Sequence, residues 1–183
     1  MTKGPYATPI PYCDPLRAFA AFSGDPVSAL LDSAAEIGPR GRYAYIAADP
    51  FRVITAAKGR TAVDGCPAAG DPFQVLERQL KMFQMGNDPD LPPFQGGAVS
   101  YLGYELGRHL ERLPPPPEAG LDVPELLIGL YDTIAAFDVQ TRHAWILAAE
   151  LGAADGTLVR PLPVARAEAM AERIADAPPL PPV

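Results

Sequence analysis

Cysteine and histidine are nearly missing from this chain: Cys13, Cys66, His109 and His143 are its full set. A structural zinc site needs several such ligands at short paired spacings, and none of the four has a neighbour at such a spacing. The sequence therefore predicts no metal site in this chain. Two isolated thiols suit a reducing compartment better than a disulfide scaffold. A basic surface is missing too. Lys and Arg total 15 against 22 Asp and Glu, a net charge of −7, which argues against nucleic acid as a partner. No apolar run is long enough to span a bilayer, and the opening MTKGPYATPIPYCD has no apolar signal-peptide core. No membrane partner and a cytoplasmic location are expected. The motifs G-x-x-x-x-G-K-[ST], G-x-G-x-x-G and G-x-S-x-G are also absent. The phosphate-cradling loops and the nucleophile elbow thus have no support.

Proline is in excess, at 23 of 183 residues, and it is clustered. Leu113–Glu118 (LPPPPE) and Ala177–Val183 (APPLPPV) are its two blocks. Neither can continue a helix or a central strand. The first reads as a surface connection, the second as an interdomain linker. The division expected is one domain over 1–176 and a linker over 177–183. A chain of this length can bury a real core.

Hydrophobic spacing supplies the elements. Asp25-Pro26 predicts a helix start, with Val27, Leu30, Leu31 and Ala34 on its apolar face and Gly38 and Gly41 ending it. Arg42–Ala48, Arg52–Ala57 and Thr61–Val63 read as strands. Asp71 opens a second helix with Gln74 in a capping-box position and a stripe of Phe73, Leu76, Leu80 and Phe83. Gln95–Leu102 reads as a strand and Glu105–Glu111 as a short helix. Leu126–Val139 and Ala144–Glu150 are the clearest strands, joined by a hairpin at Asp138–Arg142, with both faces apolar and so covered on both sides. A last helix is expected over Pro163–Ala175, with Val164, Ala167, Ala171 and Ile174 on one side. Adjacent strands with short turns predict mainly antiparallel sheets and an α+β fold.

Side-chain chemistry is sparse. Asp132 and Asp138 read as lying on one face of one strand. Asp138 is explained as a turn former, and Asp132, within an apolar run, needs a partner such as a backbone group or an arginine. His109 reads as part of a solvated charged face beside Arg108, Glu111 and Arg112, His143 as a hairpin residue, and Trp145 as core. Gly96, Gly97 and Gly103 permit a bulge, a close backbone approach or a sharp turn, and close packing is favoured over ligand contact. No catalytic residue is expected.

The segment Pro93–Glu111, PFQGGAVSYLGYELGRHLE, resembles the hallmark of the N-terminal domain of component I of the anthranilate and aminodeoxychorismate synthases. Ala29–Ala34 (ALLDSA), Gly41–Pro50 (GRYAYIAADP) and Leu130–Arg142 (LYDTIAAFDVQTR) resemble three further stretches of that family, in the same order. The resemblance implies two mainly antiparallel sheets packed nearly at right angles, with helices on the outer faces, an α/β/β/α architecture. It implies that chorismate, magnesium and the chemistry belong to a C-terminal domain with no counterpart in this chain, and that a glutamine amidotransferase supplies ammonia. No cofactor is expected here, and no activity from this chain alone. What the resemblance carries onto these residues is part of a tryptophan site: Ser33, whose hydroxyl can donate and accept, with Gly41, Arg42, Tyr43 and Ala44 of the following strand. The short leader and Asp32 favour the aminodeoxychorismate branch of folate synthesis. The anthranilate branch, a stand-alone amino-acid-binding module and a scaffold for the amidotransferase stay open. An uncovered apolar face predicts self-association.

Overall fold

The structure, a computed structural model, describes residues 4–33, 41–112, 114, 123–151 and 160–180. The predicted helix end at Ala34–Gly38, most of the first proline block and the last three residues lie outside these. In chain order the elements are β1 (Tyr6–Ile10), α1 (Pro15–Phe19), β2 (Ala29–Leu31), β3 (Tyr43–Ala47), β4 (Arg52–Ala57), β5 (Arg60–Val63), β6 (Cys66–Ala68), α2 (Pro72–Met82) and β7 (Gly97–Leu102). A short 3-10 helix (Tyr104–His109), β8 (Leu126–Tyr131), β9 (Thr133–Asp138), β10 (His143–Ala148) and α3 (Pro163–Ala175) follow. The strands form two five-stranded sheets, ordered β1-β10-β9-β3-β2 and β6-β5-β4-β8-β7. Every pairing is antiparallel.

Three cores hold four layers together. The first sheet packs its Ala44, Ile46, Phe137 and Ile146 face under α1 and α3, through Ala18, Phe22, Ala167, Met170 and Ile174. The second packs Ile54, Ile128 and Leu130 under α2 and the 3-10 helix, through Val75 and Leu106. Between the sheets lie Ala47, Tyr131, Ile134, Ala136 and Leu147, with Tyr45, Phe94 and Val99 packed against them. Burying each large aliphatic side chain contributes roughly 1.5–3 kcal/mol, so the helices are fixed mainly by the sheets they cover. The observed order is the α/β/β/α layering of an α+β domain. Among the described residues no helix is long and apolar enough to cross a membrane.

Four expectations are corrected. The helix predicted from Asp25-Pro26 is not there: Val27 has φ +58° and Ala29–Leu31 is a strand. Its apolar spacing fits either period over so few residues, and pairing with β3 decides for the strand. The single strand expected over Leu126–Val139 is two strands in different sheets. The chain crosses from one sheet to the other at Asp132, as strands do at the corner of packed sheets. Asp132 and Asp138 therefore do not share a strand. On α2, Val75 is buried and Leu80 is exposed, because the helix turns its Pro72–Val75 side inward. Finally, His109 is not on a solvated face. Its ring nitrogens lie 3.4 Å from both Asp71, the N-cap of α2, and Glu125, just before β8.

β1, α1 and β6 carry no expectation above. Asp14 caps α1, accepting from the backbone N–H of Leu16 at 2.9 Å and of Arg17 at 3.3 Å. β6 is three residues with Pro67 in the middle, too short for a period to show.

Candidate functional site: a cleft between two sheet edges

β2 and β7 are edge strands of different sheets, and a cleft of about 780 Å³ opens between them. One wall is the run Leu30–Ser33, the opposite wall is Ala98–Ser100, and the floor carries Tyr43, Tyr45 and Phe94. Period-2 alternation puts Tyr43 and Tyr45 on one face of β3. Their rings lie 6.1 Å apart, and Phe94 meets Tyr45 edge-on at 5.5 Å. The Tyr45 hydroxyl accepts from the Phe94 N–H at 3.5 Å, and burial pushes the Tyr45 phenol up.

The entry of β2 is fixed from below. Tyr131, buried between the sheets, donates its hydroxyl to the Val27 carbonyl, and burial pushes that phenol up to about 12. This anchors a β-branched residue in the left-handed region, which such residues seldom adopt. The β2–β3 ladder then ends at Leu31↔Tyr45, although β3 itself starts at Tyr43. Beyond that point no strand among the described residues pairs with the β2 side of β3, and Asp32 and Ser33 stand at the cleft wall. Asp32 accepts from the Ser33 N–H at 2.8 Å.

Of the five residues singled out in sequence, two reach the cleft: Ser33 and Tyr43. Ala44 points to the other face of β3 and is buried under the helices. Arg42 is engaged elsewhere, with its guanidinium 2.7–2.8 Å from Asp138 and over the Tyr43 ring at 4.9 Å. Gly41 is buried just before the strand. Burial pushes the Asp138 carboxyl up, but Arg42 and the groups of Thr141 and Gln140 outweigh it and hold the carboxyl at about 2. Gly96 and Gly97 precede the cleft wall with φ +130° and +124°, and a Cβ on Gly96 would lie 2.9 Å from the Tyr131 carbonyl oxygen. Gly103 has an ordinary φ of −73° and leaves room beside the Glu125 carbonyl.

A second cavity, about 660 Å³, lies against α3 beside Phe22 and Met170. Its arginines are all engaged: Arg160 with Asp49 and Asp132, Arg166 with Asp132, Thr133 and two carbonyls, and Arg173 with Asp25 and the Ala21 carbonyl. Arg160 and Arg166 thereby brace the sheet crossover at Asp132, and Arg173 ties α3 to the segment after α1. Among the described residues no group of three or more His, Cys, Asp or Glu is placed to hold a metal ion.

The chain is 38% identical over 149 residues to aminodeoxychorismate synthase component 1 of Salmonella typhimurium, covering 70% of this chain and 32% of that protein. It is 33% identical over 129 residues to anthranilate synthase component 1 of Acetivibrio thermocellus, covering 68% and 26%. The chain belongs to the component I family of these synthases. No family model matches it. It spans about a third or less of the length of these component I relatives. The fold of component I is also the fold found here: the crystal structure of anthranilate synthase component I from Streptococcus pneumoniae superimposes with a TM-score of 0.52 at 20% identity, covering 90% of this chain and 33% of that one.

Within this component I chain, sequence reasoning missed Tyr45, Phe94 and the Ala98–Ser100 wall. Tyr45 was legible, since it stands two residues from Tyr43 and so on the same face. Phe94 and β7 were not, because they come from a segment far along the chain that only the folding of the second sheet brings opposite β2.

Proposed function

We propose that this chain is the N-terminal, non-catalytic portion of an aminodeoxychorismate synthase component I, which makes 4-amino-4-deoxychorismate from chorismate and ammonia for folate synthesis. Residues 1–176 form the domain and 177–183 the linker. On this reading the reaction centre and its magnesium belong to the catalytic domain of full-length component I, against which this domain packs. Ammonia comes from a glutamine amidotransferase partner, and the assembly is cytoplasmic.

The cleft is half of a tryptophan site. The observation that carries this is the open stretch of β3 beside Ser33, facing a row of aromatic rings. An α-amino acid's ammonium and carboxylate need paired acceptors and donors, which a serine hydroxyl and an open strand edge supply. Its side chain lies on the aromatic floor. With the rest of the site supplied by the catalytic domain, affinity for this chain alone is weak.

Titration calorimetry of the chain with L-tryptophan is expected to show weak binding whose affinity Ser33→Ala lowers by about tenfold, since a lost hydrogen bond to a charged group is worth ~1.5 kcal/mol or more. Heats equal to dilution, with and without the catalytic domain of a component I synthase, sink the ligand reading. Turnover of chorismate by this chain unaided sinks the assignment as non-catalytic. The anthranilate branch is the second reading, supported by 36% identity over 138 residues to anthranilate synthase component 1 of Streptomyces coelicolor. The product formed by the complemented enzyme, anthranilate or 4-amino-4-deoxychorismate, decides between them.

A further inference from the structure

Two open sheets have four edges, and an unprotected edge is a template for another strand. Three of the four are blunted. β1 carries Pro9, β6 is three residues long and carries Pro67, and β2 is three residues long. β7 has none of these devices. Its six residues, GAVSYL, include no proline and no charge. Ala98, Ser100, Tyr101 and Leu102 are exposed, Leu102 at 55%. Directly after it come Tyr104, exposed at 89%, and Leu110 at 72%. An uncharged, largely apolar edge of this length is the kind that strand addition covers.

We propose that β7 is a pairing edge and that a second copy of this chain occupies it, antiparallel, about a twofold axis at Ser100. The sequence of β7 is self-complementary in that register. Residues directly opposite across antiparallel strands share a face. With Ser100 opposite Ser100, Val99 faces Tyr101 on one face of the joined sheet and Ala98 faces Leu102 on the other. Both contacts are apolar against apolar, one of them a β-branched residue against an aromatic, which is a favourable cross-strand pair. No charged side chain meets its like within the strand. The pairing joins the two second sheets into one ten-stranded sheet and leaves the helices on its outer face undisturbed. It seats the second copy on Ala98–Ser100, the β7 wall of the cleft, and so competes with a ligand bound there.

Two features set the strength. One strand with a few flanking side chains buries less than the ~1,200 Å² at the lower end of stable interfaces, so the dimer forms only at high concentration. Each copy carries a net charge of −7, and their repulsion is screened beyond ~10 Å at 0.1 M salt. Added salt therefore strengthens the association.

Sedimentation velocity over micromolar to near-millimolar protein, at low and high salt, tests this. The mass is expected to rise from 19.4 kDa toward twice that value, more readily in high salt. Ser100→Lys places two like charges face to face on the axis and is expected to weaken association at least ~10-fold, with an unchanged circular dichroism spectrum because Ser100 is exposed. Hydrogen exchange at 97–102 is expected to slow as concentration rises. A monomer at every concentration overturns the proposal. So does a dimer whose β7 amides exchange as fast as the monomer's, or one that Ser100→Lys leaves intact. Protection of β7 that appears only when the catalytic domain of a component I synthase is added assigns the edge to that domain and overturns self-pairing.

Discussion

Asp132 sits where the chain passes from one sheet to the other, and removing its charge is the sharpest test of how the two halves are joined. The carboxyl is wholly buried, with Arg166 at 3.5 Å, Arg160 at 3.3 Å and the Thr133 hydroxyl at 3.0 Å. Asp132 Oδ2 and Arg160 Nε face each other without hydrogen-bond geometry, so charge rather than bonding links them. Breaking a buried ion pair from one side costs about 3–5 kcal/mol, because the remaining charge stays buried. After Asp132→Ala, Arg166 keeps Thr133 and the carbonyls of Pro161 and Ala149, which puts the loss at the low end, about 3 kcal/mol. For a domain of this size that is a fall in Tm of roughly 6–12 °C. Arg166→Met is expected to cost less, because burial already pushes the Asp132 carboxyl up and proton uptake can neutralise it. In the double variant the losses should not add; a coupling of about 1.5 kcal/mol is expected. Urea unfolding followed by fluorescence of Trp145, the single tryptophan, measures all three. The sign with pH follows from the raised carboxyl. Its contribution to folding is fullest below the unfolded value and is lost as pH rises through the folded one, so Asp132→Asn should flatten that slope. An Asp132→Ala loss under about 1 kcal/mol, with additive single variants, refutes the reasoning.

Gly96→Ala is expected to destabilise by about 2–3 kcal/mol, since it combines a left-handed φ with a Cβ 2.9 Å from the Tyr131 carbonyl oxygen; thermal unfolding measures it. Arg42→Ala removes the guanidinium that helps hold the Asp138 carboxyl at about 2. Because that folded value lies below the ordinary one, the stability it supplies is present above the unfolded value of ~3.9 and lost as pH falls toward 2. In the variant the loss should be smaller and complete at higher pH, because the folded value lies closer to the unfolded one, and an NMR titration of the Asp138 carboxyl should show an upward shift. Ala44→Leu should cost about 1–3 kcal/mol by overpacking the layer under the helices while leaving tryptophan heats unchanged, because Ala44 faces away from the cleft.

Local pattern carried much of the architecture. Arg52–Ala57, Ala144–Glu150 and Pro163–Ala175 were legible because a period of two or of 3.6, with a turn or a proline at its border, needs no knowledge of the rest of the chain. Antiparallel pairing was legible because short turns join neighbouring strands. Ser33 and Tyr43 came from the family resemblance; the aromatic partners and the opposite wall did not. The partner of each strand is a non-local matter. Nothing within Val27–Leu31 says that β3 waits for it, so a helical spacing became an edge strand. Nothing within Leu126–Val139 says that its two ends serve different sheets. His109 found Asp71 and Glu125 because the 3-10 helix docks between α2 and the start of β8. Local spacing and motif were enough to tell strand from helix where one period ran long enough, and to mark an α+β chain of the component I kind. Tertiary structure alone decided the corner at Asp132, the open stretch of β3 and the facing of two sheet edges across the cleft, because each depends on segments far apart in sequence competing for the same backbone hydrogen bonds and the same buried space.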